Sequence, residues 1–237
     1  MLTFLETNGK HTSIGCGTII RCEGNHYTVL SCEHIFNPIE KIYARSFDGG
    51  KYKVGVLFMD KQSDISTVRI VSEVPLEVAT LGDSTKLLPG TMVGALGCPL
   101  GLPNTFTAGV VSSVGRKSFE LQHVDFQGYL KEVIVMDIVL SNGNSGGPRI
   151  NLDGEVVGVN SRGIRRFYER GLARINRLGF AIPIEYVCKM LDTVSREGGI
   201  RRRLLGLQTR DLTTERIAQL KRLEKYKFLG KKAILFF

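Results

Sequence analysis

Short apolar runs separated by turn residues recur through the first 180 or so residues, and this pattern limits the fold more than any other feature. A half-buried strand needs only four to eight residues, whereas a helix needs a longer run with a 3.6-residue period. The sequence therefore predicts an all-β body rich in turns. The runs predicted as strands are Cys16–Arg21, Tyr27–Ser31, Lys53–Leu57, Ser66–Val71, Met92–Leu96, Phe106–Val114, Val133–Asp137 and Glu155–Asn160.

Local signals mark one hairpin and two helical stretches. The run Ile150–Val157 reads as a tight hairpin with Asp153 and Gly154 at its tip. Helix signals are scarce before Pro183. A proline is well suited to the first turn of a helix, so Pro183 indicates that a helix begins there. One apolar helical face then follows, formed by Val187, Met190, Leu191 and Val194. A second amphipathic stretch covers Thr213 to about Lys225. We expect a closing helix and a short basic appendage after the β body.

Composition excludes several classes of protein. With 43% hydrophobic and 23% charged residues, the chain matches a globular protein and not a disordered one. No apolar run approaches the roughly 20 residues of a membrane-spanning helix, and no secretory signal is visible at the start. The five cysteines have irregular spacing and do not suggest a disulfide framework. We expect mostly buried free thiols and an intracellular, reducing location in the cytoplasm or an organelle.

Positive charge is concentrated near the end of the chain. The net charge is +9, and residues 201–237 hold 11 basic and 3 acidic residues, which leaves residues 1–200 near neutral. A second cluster consists of Arg162, Arg165, Arg166, Arg170, Arg174 and Arg177. Such patches can bind nucleic acid or anionic membranes, but runs of charge more often form a solvated surface. A nucleic-acid partner is not predicted.

The run Gly143-Asn144-Ser145-Gly146-Gly147-Pro148 carries the strongest chemical signal. Small residues around a serine let the backbone turn sharply and present a hydroxyl together with N–H groups, which can stabilise an oxyanion. Such a serine still needs a base and an acid that orients it. His34 follows one predicted strand and Asp64 precedes another. The order His, Asp, Ser at strand edges of an all-β chain is that of a chymotrypsin-type double barrel, and it predicts catalysis.

The chain resembles an HtrA/Deg (Do-like) serine protease over roughly residues 12–197. The ordered set of matching stretches is more specific than any single motif, since ordinary trypsins lack the last of them. The stretches are Gly15–Ile20, Leu30–Ile35, Asp64–Ile65, Leu81–Ser84, Leu96–Gly101, Asn104–Ser112, Gly143–Pro148, Asp153–Asn160 and Leu178–Pro183.

This resemblance implies a catalytic site and a domain plan. It implies His34 as general base, Asp64 as the residue that orients it, and Ser145 as nucleophile, with the backbone N–H groups of Gly143 and Ser145 as the oxyanion hole. It implies a trypsin-like double β-barrel at about residues 10–90 and 93–182, within a protease domain of residues 1–200. His34 and Asp64 then come from the first barrel, and Ser145 from the second.

The resemblance also bears on cofactors and partners. It implies peptide-bond hydrolysis in unfolded or damaged polypeptides, without metal or cofactor, and frequently by a homotrimer. Cys16, Cys22, His26 and Cys32 lie close in sequence, but their spacing does not favour a structural zinc site. Residues 204–212 resemble the start of a peptide-binding PDZ domain, and the remaining chain is too short to complete one. We interpret residues 201–237 as a basic tail with an incomplete PDZ element.

Three departures from the family pattern leave alternatives open. Glu33 precedes His34, and its carboxylate either raises the pKa of the histidine or points to solvent. Asn142 replaces a common proline, which predicts a looser nucleophile loop. The arginine-rich loop Ser161–Arg177 faces either the substrate or the solvent.

Two main function classes follow from these residues. The first is an active endopeptidase, and the second is a catalytically idle pseudo-protease or chaperone-like module that binds proteins. A basic factor associated with nucleic acid through its tail is a third class. The intact set of His34, Asp64 and Ser145 favours the first class, because an idle site has no chemical need for all three.

Overall fold

The computed structural model describes residues 1–7, 11–36, 42–116, 132–138, 140, 143–163 and 178–202. These residues form two antiparallel β systems followed by a helix. The all-β prediction with one closing helix is therefore confirmed. The predicted helix at Thr213–Lys225, the PDZ-like element and Asn142 lie outside the described residues.

The first β system is a seven-stranded sheet in the order β5-β4-β1-β2-β3-β7-β6. The central strands of this sheet are buried on both faces for most of their length, whereas the two edge strands have no buried side chain. The rings of Phe4 and Phe36 meet edge to face, with centroids 4.9 Å apart, inside this core. The strands are β1 Leu2–Thr7, β2 His11–Glu23, β3 His26–Ser31, β4 Ile42–Arg45, β5 Lys51–Lys53, β6 Gly55–Asp60 and β7 Ile65–Val71.

This sheet differs from the first barrel predicted at about residues 10–90 in two places. Strand β1 begins at Leu2, before the predicted start near residue 10, and pairs with both β2 and β4. The predicted strand Lys53–Leu57 is divided between β5 and β6. The division has a physical reason, because β5 pairs with β4 whereas β6 pairs with β7. The structure records this part as a sheet with β5 and β6 at its edges.

The second β system is a closed barrel in the order β10-β13-β12-β11-β8-β9. Its interior is lined by small and branched apolar side chains, among them Val93, Val111, Ile134 and Val157. The hairpin between β11 and β12 is confirmed, with Gly154 in the left-handed region at φ 79°. The strands are β8 Met92–Gly97, β9 Thr105–Arg116, β10 Val133–Met136, β11 Pro148–Ile150, β12 Val156–Gly163 and β13 Gly179–Pro183.

Arg149 lies fully enclosed within this barrel. In β11 it stands opposite Ala95 of β8 and Gly158 of β12, and its exposed fraction is 0%. Within the described part of the chain, none of its three guanidinium nitrogens has a hydrogen-bond partner. Burial lowers the pKa of the guanidinium from 12.5 to about 9. Arginine is almost never fully buried unless it is paired, so this residue opposes the stability of the barrel.

The chain divides into two units, Met1–Asp192 and Thr193–Phe237. Helix α1, Ile184–Glu197, begins in the first unit and ends in the second. Its buried side chains are Ile184, Val187 and Met190, which recur every three residues on one face, as in an amphipathic helix. Among the described residues, none of the helices has the length and apolar character needed to cross a bilayer.

Candidate active site

His34 lies on a single 3-10 turn, Glu33–Ile35, immediately after β3. Its backbone N–H donates to Asp64 Oδ1 at 3.1 Å. Its ring Nδ1 lies 2.8 Å from Oδ1 and 2.9 Å from Oδ2 of the same carboxylate. An ionised carboxylate can only accept hydrogen bonds, so Nδ1 carries the proton and Nε2 is left as the basic nitrogen. The side chain is 30% exposed, which leaves the ring open to a reacting group.

Asp64 directly precedes β7 and is buried in an unusual backbone conformation. Its φ of 56° is uncommon for a residue other than glycine. Ser161 Oγ donates to its Oδ2 at 2.9 Å, in addition to the bonds from His34. Burial acts to raise the pKa of this carboxyl, but the hydrogen bonds and charge of His34, together with Ser161, outweigh it and hold the pKa below its ordinary value. The carboxylate is thus ionised and fixed against the imidazole.

Two glycines with positive φ shape the loop that presents Ser145. Gly143 has φ 99° and Gly146 has φ 79°. A Cβ at Gly143 would lie 2.0 Å from the Cys98 carbonyl oxygen, and one at Gly146 would lie 2.1 Å from the Cys16 carbonyl oxygen. Neither position accepts a side chain, which explains why small residues surround the serine.

The loop is also anchored by main-chain hydrogen bonds. Cys16 N–H donates to the Ser145 carbonyl at 2.8 Å, and Gly146 N–H donates to the Asn160 carbonyl at 2.7 Å. The Asn160 side chain in turn donates to the Leu96 and Pro148 carbonyls. The serine is therefore held between β2 of the first sheet and β12 of the second barrel.

The hydroxyl of Ser145 donates to the Ser161 carbonyl oxygen at 2.7 Å. Within the described part of the chain, no hydrogen bond joins this hydroxyl to His34. The backbone N–H groups of Gly143 and Ser145 have no acceptor among the described residues. The loop therefore offers two amide donors beside a hydroxyl, and the hydroxyl is bonded to a neighbouring carbonyl.

Ser161 and Cys32 also belong to this cluster, although the sequence did not single them out for it. Ser161 contacts Asp64 through its hydroxyl and Ser145 through its carbonyl. Its contact with Asp64 spans 97 residues of sequence, so no local sequence pattern predicts it. Cys32 is fully buried, and its thiol donates to the Asn160 carbonyl at 3.4 Å.

The ligand-type atoms of Cys32, His34 and Asp64 lie within 4.8 Å of one another. Metal ligands must be deprotonated. Burial, together with the charge of Asp64, raises the pKa of the Cys32 thiol well above its ordinary value. The imidazole and the carboxylate are already hydrogen-bonded to each other. This donor set therefore disfavours a resident metal ion, although its residue types permit one.

Glu33 is buried, with 6% exposure, so the sequence alternative in which it points to solvent is wrong. The predicted free thiols are found at all five cysteines, and Cys16, Cys32 and Cys98 are buried. Residues 164–177 of the arginine-rich loop lie outside the described residues.

Comparisons with known proteins agree with this geometry. A family model described as "Trypsin-like peptidase domain" matches residues 15–159. A Do-like 14 protease of Arabidopsis thaliana is 41% identical over an aligned length of 217 residues, and the alignment covers 88% of this chain and 47% of that protein. A DegP-like periplasmic serine endoprotease of a Marinomonas species is 34% identical over 87% of this chain and 41% of its own length. This chain thus spans less than half the length of these two curated relatives.

Solved structures show the same fold. The HtrA-type protease AlgW with a decapeptide superposes with a TM-score of 0.72 at 25% identity, covering 89% of this chain and 60% of that one. The predicted chymotrypsin-like double β-barrel class is therefore confirmed. In this chain the first of the two β systems is the seven-stranded sheet, and the second is the closed barrel.

Proposed function

Because the chain belongs to the trypsin-like peptidase family, we propose that it is a serine endopeptidase that hydrolyses peptide bonds in polypeptides. Its similarity to Do-like and DegP-like relatives confirms the HtrA/Deg resemblance predicted from the sequence. The observation that carries the proposal is the contact of His34 Nδ1 with both oxygens of Asp64. This pair leaves a basic Nε2 on a partly exposed ring, and Ser161 links the Asp64 carboxylate to the Ser145 hydroxyl.

In the proposed reaction, the Ser145 hydroxyl attacks the substrate carbonyl carbon while His34 Nε2 accepts its proton. Asp64 holds the imidazole in the required tautomer and stabilises the imidazolium. The N–H groups of Gly143 and Ser145 donate to the oxyanion of the tetrahedral intermediate. His34 then gives the proton to the leaving amine as the C–N bond breaks, which leaves the acyl group on the Ser145 oxygen. Water gives a proton to His34 and attacks the acyl carbon, and the Ser145 oxygen leaves with that proton.

The Ser145 hydroxyl must first leave the Ser161 carbonyl, which it contacts at 2.7 Å. Rotation about χ1 between staggered positions is sufficient for this, and catalytic hydrogen bonds are often loose before substrate binds. The same contact favours the second candidate, an idle pseudo-protease that only binds proteins. The two candidates differ in whether substrate or reagent can engage the serine.

Labelling with a fluorophosphonate separates the two candidates, because the reagent reacts with an activated serine. We expect the full chain to be labelled and to digest casein, an unfolded substrate. Ser145→Ala removes both signals, with a loss of turnover of about a millionfold, while Ser112→Ala, at an exposed serine on β9, retains them. A correctly folded wild-type chain that is neither labelled nor active would establish the pseudo-protease.

Two further proposals rest on the resemblance, and a third rests on the cysteines. Unfolded or damaged polypeptides are the proposed substrates, and a homotrimer is the proposed assembly, which light scattering tests directly. The five free thiols support a reducing compartment, which localisation of the tagged chain would check.

A further inference from the structure

A cavity of about 440 Å³ lies between the first sheet and the loop that follows β8. One wall consists of Thr3 on β1 together with Arg45 and Lys51, which flank the turn of the β4–β5 hairpin. The opposite wall is the loop from Cys98 to Asn104. The catalytic residues proposed above do not line this cavity, and the proposed reaction does not use it.

Strand register connects this cavity to the site. Cys16 on β2 stands opposite Thr3 on β1, Thr3 stands opposite Arg45 on β4, and Arg45 stands opposite Lys51 on β5. Paired residues of antiparallel strands point their side chains to the same face. The four residues therefore form one row across four strands, which begins at Cys16 and ends in two cations. We call this set the cationic row.

The inner end of the cationic row contacts the glycine proposed for the oxyanion hole. Cys16 Sγ donates to the Gly143 carbonyl at 3.1 Å, and Cys98 N–H donates to the same oxygen at 3.2 Å. Cys98 also lines the cavity. Cys98 therefore contacts both the cavity and the Gly143 carbonyl, and it is the residue that separates the two.

The position of His34 indicates which part of a substrate would reach the cavity. The leaving amine takes its proton from the histidine, so it departs on the side of His34. Ile35, the next residue, packs against Gly15, which neighbours Cys16. Ser161 binds the Ser145 hydroxyl from the second barrel. The Cys16 end of the cationic row therefore lies on the leaving-group side of the site, and the row runs outward from there across β1, β4 and β5, away from β3.

Both cations are available to a ligand. Arg45 and Lys51 are exposed, and neither forms an ion pair with a described residue. The ammonium of Lys51 lies 4.4 Å from the ring centre of Tyr43. The one carboxylate in this hairpin, Asp48, accepts hydrogen bonds from Ser46 and from the Gly50 N–H. The described residues that line the cavity include these two cations and no acidic side chain, so the lining carries a net positive charge.

We propose that this cavity is a subsite for an acidic side chain of the substrate, three to four residues beyond the scissile bond. Neighbouring strands are about 4.8 Å apart, which places Arg45 about 10 Å and Lys51 about 14 Å from Cys16 along the cationic row. An extended peptide advances about 3.3 Å per residue, so these distances correspond to the third and fourth residues of the leaving peptide. This inference rests on the proposed function for the direction of the peptide, but binding alone can test it.

The test uses fluorescent peptides that differ only by Glu, Gln or Lys at those two positions. Binding is measured by anisotropy with the full-length Ser145→Ala chain, and kcat/KM with the wild-type chain. Exposed ion pairs are each worth up to about fivefold, so we expect Glu to be preferred over Gln by about threefold to tenfold, and Lys to be disfavoured. The preference shrinks in about 1 M salt, where the screening length falls to about 3 Å.

Arg45→Gln and Lys51→Gln should each remove part of the preference, and the double variant all of it. Lys53→Gln is the matched control, because Lys53 lies two residues along the same strand but does not line the cavity. An equal loss in Lys53→Gln would show a general charge effect and overturn the subsite. The absence of any preference for Glu in binding would also overturn it. A preference in binding without cleavage would support the subsite and refute the endopeptidase instead.

Discussion

Replacing Arg149 with methionine is expected to stabilise the fold, because the substitution removes an enclosed charge and keeps most of the volume of the side chain. The arginine is fully buried, and its guanidinium nitrogens have no partner among the described residues. The change of its pKa from 12.5 to about 9 corresponds to a penalty of about 5 kcal/mol, at about 1.4 kcal/mol for each tenfold change in proton affinity. Replacing buried charges by apolar groups gains about 1–4 kcal/mol in other proteins. We therefore expect the free energy of unfolding to rise by about 2–4 kcal/mol.

Denaturation in urea and thermal unfolding, followed by circular dichroism, measure this gain. For a chain of this size each kcal/mol raises Tm by about 2–4 °C, so Arg149→Met should raise Tm by about 5 °C or more. The control is Arg69→Met, at an exposed position on β7. It should change the free energy of unfolding by no more than about 0.5 kcal/mol.

The pH dependence of the gain provides a second check. Below pH 9 the guanidinium is protonated in both the folded and the unfolded chain, so the gain from Arg149→Met stays constant between pH 6 and 8. Above pH 9 the unfolded chain binds more protons than the folded chain, so the wild type becomes more stable and the gain narrows. A variant less stable than the wild type at pH 7 would refute the reasoning, because it would mean that Arg149 is paired inside the barrel.

Three further predictions concern the site. Asp64→Asn should lower kcat by about ten-thousandfold in a peptide assay with little loss of fold, because the amide favours the wrong histidine tautomer; a loss below about tenfold would contradict the role given to Asp64. Gly143→Ala should abolish fluorophosphonate labelling, because its Cβ would lie 2.0 Å from the Cys98 carbonyl oxygen at φ 99°; the matched variant Gly154→Ala has the same unfavourable sign of φ but open space around it, and should keep labelling. The stabilisation that ionised Asp64 provides is present above its ordinary pKa of 3.8 and is lost as the pH falls through the lower pKa of the folded chain. The difference in stability between the wild type and Asp64→Asn should therefore shrink below about pH 4, which thermal unfolding from pH 6 to 3 measures.

Much of the fold was predictable because its signals are local. The Asp153-Gly154 hairpin and the helix after Pro183 depend on turn chemistry and on a 3.6-residue period, both of which a short window of sequence contains. Strand β1 was not predicted, although Leu2 and Phe4 lie two residues apart on one face of the strand and are both buried. A run of six residues does not by itself determine whether it forms a strand, because that depends on the strands it pairs with. The partner of β1 on one side is β4, which lies about 40 residues away in sequence.

The site was predictable only in part, for the same reason. The loop around Ser145 could be predicted because its glycines have positive φ and lie against neighbouring backbone, which only glycine tolerates. The contacts of Ser161 with Asp64 and Ser145 depend on how the barrel meets the sheet, which no single motif encodes. The burial of Arg149 runs against the general preference of arginine for the surface, and composition rules therefore predict the opposite of what is found.

Asp64 connects the two β systems through a single carboxylate. It accepts hydrogen bonds from His34, which follows a strand of the first sheet, and from Ser161, which lies on β12 of the second barrel. Cys16 makes the corresponding link on the other side of the serine, since its N–H holds the Ser145 carbonyl and its thiol holds the Gly143 carbonyl. The hydrogen bond from Ser161 to Asp64 therefore forms only when the sheet and the barrel are in contact, whereas the bonds from His34 arise within the first β system. The lowered pKa of Asp64 rests mainly on His34, with a smaller contribution from Ser161. Packing of the barrel against the sheet therefore fixes the serine loop and adds to the acid sensitivity that the pair of Asp64 and His34 already has.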